Sequence, residues 1–299
     1  MLSTWIPDQV GDDIKRGSPT ENYFMKIEDS DKRRIKNILI TGDDGYNSIG
    51  TKLLVHFLKN QYKLTIAGTK KQQSGVGGKL TFDQKVRWDE TTVNGVKTIW
   101  VDGTPCDAVE FAWNYFKEIF DLVISGINLG ANVTGAIMSS GTYAAAFRAL
   151  NLPIAKKGLV LSWNCPPKRW YEDGNLKMDL ESYLHYPGQA VEKIVDLVLE
   201  NNFWGYELLN INLPLSKSNE VKFTKPLPSV TDFYSCSVNI NHKEHYYIHP
   251  SAVTVASKER SVEFDGNAIR KGYISITPCQ TTFSKEDVYL KPKNLTIEL

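Results

Sequence analysis

The stretch KNILITGDDG, residues 36–45, decides the fold of this chain. Its apolar run, residues 38–40, lies between Lys36 and a Gly-Asp-Asp-Gly turn, which predicts a buried strand that ends in two adjacent acids. In open parallel α/β sheets, ligands bind beyond the carboxyl ends of the strands. We therefore expect Asp43 and Asp44 to face a ligand crevice.

The two acids need a compensating positive charge. Adjacent carboxylates repel each other, and each raises the pKa of the other unless a cation lies between them. No Lys or Arg lies within six residues of Asp43 or Asp44. A hard cation, Mg²⁺ or Mn²⁺, is the simplest compensation. The alternative is that Asp-Asp-Gly is only a polar turn, and the motif alone does not decide between the two.

The rest of the chain alternates strand and helix patterns, which is typical of a mostly parallel sheet. Apolar runs predict further strands at residues 64–67, 120–124, 153–163 and 207–213. Amphipathic patterns and caps predict helices at residues 48–60, from Thr104, from about Thr142, and at residues 183–200. An Asn-Gly turn at Asn94 predicts a β-hairpin arm. We therefore expect a doubly wound, Rossmann-like α/β fold with helices on both faces of the sheet.

Three segments differ in composition. Residues 1–34 carry no apolar period and predict a flexible N-terminal extension, whereas we expect residues 35–215 to form the α/β catalytic core. Residues 216–299 predict an extended, strand-rich C-terminal region that completes the same domain. Three histidines in that region, His242, His245 and His249, have a spacing open to a metal site, but their aromatic neighbours favour an exposed strand.

Composition argues against several classes of protein. With 299 residues, 41% of them hydrophobic, the chain can bury a large α/β core. A net charge of +1 argues against an extended nucleic-acid-binding surface. The four cysteines are scattered, as free thiols in a reducing compartment are. No signal peptide or membrane span is visible, so we expect a cytoplasmic protein that does not bind membranes.

Two loops are candidates to complete a site beside the acids. The first, TKKQQSGVGGKLTF, contains Ser74, a neutral oxygen ligand, and glycines whose backbone N–H groups can approach an anion; a flexible turn is an equal alternative. The second, SGINLGANVTGAIMSSG, places Asn128 just after a strand and ends where a helix begins. Free N–H groups at a helix N-terminus favour a phosphate. The length of the second loop favours a functional role over a structural one.

Five motifs, in this order, resemble those of the survival protein SurE family: GDDGYNSIG, QQSGVGG, DGTPCDAV, DLVISGINLGANV and SSGTYAAA. Two later segments, LLNINLP and DGNAIRKGYISITP, also resemble that family, so the resemblance covers roughly residues 36–285. The family comprises metal-dependent nucleotidases that cleave nucleoside 5′- and 3′-monophosphates. The resemblance implies one divalent metal ion per subunit, Mg²⁺ or Mn²⁺, and subunit exchange through the C-terminal region in a homodimer or homotetramer.

The resemblance also implies roles for individual residues. The implied metal ligands are Asp43, Asp44, Ser74 and Asn128, and the implied phosphate-site residues are Asn132, Ser140, Gly141 and Thr142. Four positions depart from the family pattern. They are Gly42, Thr134, Ala136 and Ser139, which stand where Asn, Gly, Asp and Tyr are usual. These departures leave the metal set intact, and we expect them to affect the phosphate site and the substrate range.

We therefore expect a divalent-metal-dependent phosphomonoesterase that hydrolyses nucleoside 5′- and 3′-monophosphates to nucleoside and phosphate. Either Asp43 or Asp44 would act as the catalytic base that accepts the proton of the attacking water. The alternative is a degenerate member of the fold that binds nucleotide or phosphate without hydrolysing it. A receiver-like module is disfavoured, because residues 125–128 supply no phospho-accepting Asp.

Overall fold

The predicted first strand lies in the middle of the sheet. The computed structural model describes residues 35–166, 169, 179–235, 237–249 and 261–281, all within the unit Ile35–Leu299. Their strands are β1 (Asn37–Thr41), β2 (Lys63–Thr69), β3 (Trp88–Val93), β4 (Val96–Val101), β5 (Leu122–Leu129), β6 (Gly158–Trp163), β7 (Leu208–Leu213), β8 (Val221–Phe223), β9 (Asn239–Asn241), β10 (Tyr246–Ile248) and β11 (Ile274–Cys279). Their α-helices are α1 (Ile49–Leu58), α2 (Pro105–Phe116), α3 (Gly141–Asn151), α4 (Glu181–Tyr183), α5 (Gln189–Glu200) and α6 (Asp265–Arg270).

Nine of the described strands form one sheet, in the order β3-β4-β2-β1-β5-β6-β7-β11-β8. Neighbouring strands are parallel except for the pairs β3 with β4 and β7 with β11. From β1 the chain moves to β2 and on to β4, and it then returns to the opposite edge of β1 as β5. This reversal opens a crevice at the carboxyl ends of β1 and β5, where doubly wound folds bind ligands.

Helices cover both faces of the sheet, as predicted. Ile38 and Ile40 point to one face, where they join a core that includes Leu54 of α1 and Val195 of α5. Leu39 points to the other face, into a core built with α2 and α3. β1 is therefore buried on both faces, which explains its uninterrupted apolar run.

The predicted starts of the first two helices are confirmed. Ser48 caps α1 by accepting a hydrogen bond from the N–H of Thr51. Thr104 caps α2 by accepting one from the N–H of Asp107, whose carboxylate in turn accepts the N–H of Thr104. These caps satisfy N–H groups that the helices cannot pair internally.

The hairpin at Asn94 and Gly95 is confirmed, but it does not project as an arm. Both turn residues have positive φ, 49° and 84°, as a type I′ turn requires. β4 then pairs in parallel with β2, and Thr98 and Ile99 within it are fully buried. The hairpin therefore widens the main sheet. Its second strand is mostly apolar and can be buried on both faces, as strands inside a parallel sheet are.

One predicted strand end is wrong. Strand β5 continues past Ile124 to Leu129. Gly126 and Ile127 together lie opposite Leu161, which makes them a bulge within the strand rather than its end. A Cβ atom on Gly126 would lie 2.2 Å from the carbonyl oxygen of Leu161, so only glycine allows the two strands to approach here.

One predicted helix is shorter than its pattern. The helix expected at residues 183–200 is regular only from Gln189. Pro187 interrupts it, because proline lacks a backbone N–H, and Tyr186 before it has an extended backbone with φ −155° and ψ 129°. Strand β6 also begins later than predicted, at Gly158.

The C-terminal region adds to the main sheet and also forms a separate hairpin. β11 lies between β7 and β8. β9 and β10 form a two-stranded sheet that exposes Ile240 and Tyr247. His242, His245 and His249 lie on or beside this exposed hairpin. In the part of the chain that the structure describes, no group of three or more His, Cys, Asp and Glu side chains is arranged to hold a metal ion.

Two predicted segments lie wholly or partly outside the described ranges. The N-terminal extension, residues 1–34, lies wholly outside them, and so do residues 236, 250–260 and 282–299 of the C-terminal region. Among the helices of the described residues, none combines the length and the apolar character needed to cross a membrane.

Replacing Leu54 by Ala should lower the free energy of unfolding by about 3 kcal/mol, because this side chain is fully buried and its truncation leaves a cavity. The same truncation at Leu215, which is 51% exposed, should change the free energy by less than about 0.5 kcal/mol. Urea unfolding of both variants measures the difference. Equal losses would show that Leu54 is not a core residue.

Candidate active site

The four residues predicted to hold a metal lie at one edge of the sheet. Asp43 and Asp44 follow β1, Asn128 lies near the end of β5, and Ser74 lies in the loop after β2. Asp43, Ser74 and Asn128 line one cavity of about 270 Å³. Asp44 adjoins it through Leu129, a lining residue whose N–H donates to Asp44 Oδ2 at 2.9 Å.

Asp43 is held by the first residues of α3. The hydroxyl of Thr142 donates to Asp43 Oδ1 at 2.5 Å, and the N–H groups of Gly141 and Thr142 also bond to this carboxylate. Burial raises the pKa of Asp43, and these hydrogen bonds oppose the rise. A Cβ atom on Gly141 would lie 2.8 Å from Asp43 Cβ, so the helix reaches the acid only because residue 141 is glycine.

Asp44 is half-buried and has fewer donors around it. Besides the N–H of Leu129, it accepts a hydrogen bond at 3.0 Å from the side-chain amide of Gln72. Burial, followed by the neighbouring Asp43 carboxylate, raises the pKa of Asp44 to about 7. Within the described residues, no Lys or Arg forms an ion pair with either carboxyl group, as the sequence predicts.

The residues around the acids suit a hard divalent cation. Asn128 donates its amide N–H to the carbonyl oxygen of Gly130 at 2.7 Å, which leaves the amide oxygen as its ligand atom. Ser74 is exposed and offers a hydroxyl oxygen. Two carboxylates and two neutral oxygens are the ligand types that Mg²⁺ and Mn²⁺ prefer. The candidate ligands for such an ion are therefore Asp43, Asp44, Ser74 and Asn128.

The four predicted phosphate-site residues fall into two groups. Asn132 and Ser140 line the cavity. Gly141 and Thr142 instead contact Asp43, as described above, and are buried. Ser140 Oγ accepts the N–H of Tyr143 as the cap of α3, so its hydroxyl hydrogen remains to donate to an anion.

Asn132 is fixed from three sides. Its N–H donates to Asn212 Oδ1 at 2.8 Å, and its carbonyl oxygen accepts the side-chain amides of Asn210 and Asn212 at 2.8 and 3.0 Å. Its own side-chain amide donates to Ser162 Oγ at 2.9 Å. We did not predict these roles from the sequence. The alternation of asparagine in the apolar strand LLNINL was the available signal, because buried amides need partners.

The departures from the family pattern lie in one short 3₁₀ helix, Thr134–Ser139, apart from Gly42. Ala136 and Ser139 line the cavity, whereas Thr134 is fully buried. Thr134 has φ 63°, a backbone conformation that β-branched residues rarely adopt. Ala136 and Ser139 therefore alter the cavity wall itself, and the carbonyl oxygen of Ser139 accepts the N–H of Gly77, in the loop that carries Ser74, at 2.9 Å.

Two further lining residues come from a distant part of the chain. Val230 and Tyr234 line the cavity together with Ala136 and Ser139. The hydroxyl of Tyr234 donates to the carbonyl oxygen of Ala131. The sequence carried no local signal for this role, since the segment shows no period or motif. The cavity thus has an acidic end at Asp43 and a less polar end at Val230.

Metal-free protein should lose stability as the pH rises. The pKa of Asp44 is about 7 in the fold against an ordinary 3.8, so the folded state binds this proton more tightly than the unfolded chain. Its contribution to stability is complete below about pH 4 and is lost as the pH rises through about 7.

Thermal melts of chelator-treated protein between pH 5 and pH 8 test this, with Asp44→Asn as the comparison. The difference in melting temperature between the variant and the wild type should grow in favour of the variant toward pH 8, because an amide does not titrate. Parallel pH profiles would show that the Asp44 carboxyl is not perturbed.

A family model described as survival protein SurE matches residues 38–233. The 5′-nucleotidase SurE of Aliarcobacter butzleri is 32% identical over 264 residues, which cover 85% of this chain and 96% of that protein. The 5′-nucleotidase SurE of Archaeoglobus fulgidus is 31% identical over 248 residues, with 81% and 90% covered. The crystal structure of the SurE protein from Aquifex aeolicus has a similar fold, with a TM-score of 0.64 and 24% identity over 85% of this chain and 97% of that one.

These findings confirm the resemblance carried by the sequence motifs and the α/β fold class. Because the family model spans most of the chain and the similarity to the A. butzleri protein runs almost from end to end, this chain belongs to the survival protein SurE family.

Proposed function

We propose that this chain is a divalent-metal-dependent phosphomonoesterase that hydrolyses nucleoside 5′- and 3′-monophosphates to nucleoside and phosphate. The observation that carries the proposal is the adjacent pair Asp43, which is buried, and Asp44, which is half-buried, beside a cavity lined by two neutral oxygen ligands, Ser74 and Asn128. The relatives from A. butzleri and A. fulgidus, both named 5′-nucleotidases, support a nucleotide as the substrate.

The acidic end of the cavity would hold the metal and the attacking water. A divalent cation, when bound, supplies Lewis-acid polarisation of a phosphoryl oxygen and of water. Asp43 and Asp44 balance its charge. Asp43 lines the cavity directly and is the better placed of the two acids to accept a proton from the water. Thr142 and Gly141 keep the Asp43 carboxylate in place through their hydrogen bonds.

The polar side chains along the cavity would receive the phosphoryl oxygens. The side-chain amide of Asn132 donates one N–H to Ser162 Oγ and has a second N–H to donate to a ligand. Its backbone N–H and carbonyl oxygen are both hydrogen-bonded to asparagines of β7. Ser140 adds a hydroxyl. Donors held in fixed positions stabilise charge that develops on the phosphoryl group without a cost of reorganisation. The nucleoside would extend toward Val230 and Tyr234.

A second candidate function is binding of nucleotide or phosphate without hydrolysis. The observation that favours it is the wall formed by Ala136 and Ser139, which replaces an acid and a phenol of the family pattern with smaller groups. Both candidates use the same cavity. They differ in turnover alone, so a single assay separates them.

We further propose that the protein acts in the cytoplasm as a homodimer or homotetramer. Cys106 and Cys279 form no disulfide within the described residues, which supports a reducing compartment. The exposed apolar side chains of the β9–β10 hairpin, which include Tyr247, support an interface with another copy. Light scattering coupled to gel filtration would report the number of subunits.

Protein stripped with chelator and resupplied with Mn²⁺ or Mg²⁺ should release phosphate from nucleoside 5′- and 3′-monophosphates only when metal is present. Without a cation the acid pair repels the substrate's own negative charge. Asp43→Asn should lower kcat by about 100-fold or more. Asp83→Asn removes an acid from an exposed site with positive φ, which asparagine tolerates, and should leave kcat unchanged.

Colorimetric phosphate detection across a panel of nucleotides measures both effects. Tight binding of Mn²⁺ and nucleotide without any phosphate release would support the non-catalytic alternative. Unchanged turnover in Asp43→Asn would exclude Asp43 from the site.

Gly141→Ala should lower kcat/KM by about 100-fold, because the added methyl group would lie 2.8 Å from Asp43 Cβ and must displace either the acid or α3. Gly78→Ala adds the same group to the neighbouring loop, where it meets only Ala144 at 3.9 Å, and should be nearly silent. Steady-state kinetics on one nucleoside monophosphate compare the two. Equal activity in both variants would rule out the close approach of α3 to Asp43.

A further inference from the structure

Asp265 is a buried acid that lies outside the candidate active site. It is 1% exposed and begins the short helix α6. Its carboxylate accepts three backbone N–H groups: that of Thr134 at 2.7 Å, that of Leu227 at 3.1 Å and that of Gly266 at 2.6 Å. Burying a carboxylate costs free energy unless hydrogen bonds of this kind offset it. An apolar side chain would pack here at no such cost, so the presence of an acid at this position indicates that its three bonds have a role.

The first of these bonds fixes one wall of the cavity. Thr134 begins the 3₁₀ helix that carries Ala136 and Ser139, which line the cavity. Thr134 holds φ at 63°, a conformation that costs a threonine energy and persists only when its surroundings impose it. The hydrogen bond from its N–H to Asp265 is the contact that imposes it from outside the loop.

The second bond fixes the cavity wall to which Val230 and Tyr234 belong. Leu227 leads into the segment that carries Val230 and Tyr234. At the other end of α6, the guanidinium of Arg270 donates to the carbonyl oxygens of Asp232 and Phe233 at 2.9 and 3.1 Å. Both ends of the helix therefore bond to the backbone around this wall.

The two walls approach each other closely. A Cβ atom on Gly135 would lie 3.5 Å from Val230 Cγ2. The apolar cluster beneath them, which includes Val133, Phe233 and Ile269, packs the walls together but is not directional. The charge-assisted bonds to Asp265 set their separation, because they are short and oriented.

We propose that Asp265 is a positioning residue that holds the two cavity walls at the separation needed for the nucleoside part of the substrate. The proposal rests on the proposed function, and it names which end of the site Asp265 serves. Three of the four candidate metal ligands do not depend on it directly, since Asp43, Asp44 and Asn128 are held by β1, β5 and α3. Nor does Asn132, which Asn210 and Asn212 clamp separately. The loop of the fourth ligand, Ser74, contacts the first wall through one bond, from the N–H of Gly77 to the carbonyl oxygen of Ser139 at 2.9 Å.

Asp265→Asn tests the proposal. The amide keeps the shape of the side chain but has one acceptor oxygen, so the bond to Thr134 or the bonds to Leu227 and Gly266 are lost. KM for a nucleoside monophosphate should rise by about tenfold, with kcat nearly unchanged, as when a positioning contact is removed. The inhibition constant of inorganic phosphate and the affinity for Mn²⁺ should stay at their wild-type values.

Ser275→Ala is the matched control. Ser275 is fully buried in β11, and its hydroxyl lies 2.7 Å from Thr224 Oγ1. Its loss should destabilise the C-terminal part of the sheet without reaching the cavity. This control should therefore lower the melting temperature and leave KM unchanged. An equal rise of KM in both variants would reduce the role of Asp265 to general stability and overturn the proposal.

Arg270→Met provides a second test if Asp265→Asn does not fold. It keeps much of the side-chain volume and removes the bonds to Asp232 and Phe233, so KM should rise in the same direction. Unchanged KM in the folded variant, or a parallel loss of Mn²⁺ affinity, would overturn the proposal.

Hydrogen exchange separates this proposal from the proposed function. The amides of residues 131–139 should exchange faster in Asp265→Asn than in the wild type or in Ser275→Ala, whether or not the protein hydrolyses nucleotides. Unchanged exchange in this segment would overturn the positioning role even in an active enzyme. A wild-type protein without phosphate release would instead overturn the proposed function alone.

Discussion

Two adjacent carboxylates at the end of a central strand, one buried and one half-buried, are the constraint on which this structure depends. Burial and mutual repulsion oppose their ionisation. Hydrogen-bond donors compensate for this cost. The first residues of α3 donate to Asp43, and the backbone N–H of Leu129 and the side-chain amide of Gln72 donate to Asp44. Gly141 and the bulge in β5 contribute to this compensation, because they let backbone N–H groups approach the acids. No Lys or Arg is among these donors, which leaves room for a metal ion.

The two ends of the cavity are built on different principles. The acidic end consists of residues that follow strands at their carboxyl ends, so the topology of the sheet alone brings them together. The opposite end consists of loop residues held by buried polar groups: Asn210 and Asn212 clamp Asn132, and Asp265 joins two walls. With the proposed roles, metal at the first end and nucleoside at the second, this separate support would allow the substrate range to change while the chemistry stays the same. The departures at Ala136 and Ser139 lie on the wall that is bonded to Asp265 through Thr134.

The sequence was most informative where a signal is local. The apolar run before the acids, the caps Ser48 and Thr104 and the Asn-Gly turn were each predicted, because a few neighbouring residues decide them. The predicted end of β5 is wrong, because a glycine such as Gly126 is typical both of the end of a strand and of a bulge within one. The support from Asp265 could not be predicted, because it contacts Thr134 across 131 residues and nothing near either residue marks the pairing.

That separation along the chain affects the order in which the protein can form during synthesis. The acids and their helix lie within the first 151 residues, whereas β11, which joins β7 to β8, ends at residue 279. A ribosome-bound chain can bring Asp43, Asp44, Ser74 and Asn128 together well before Thr134 and Leu227 can bond to Asp265. Any binding by such a nascent chain would involve small ions rather than whole nucleotides. With the proposed role of the walls that Asp265 joins, the capacity to recognise the organic part of the substrate would be the last to be acquired as the protein is made.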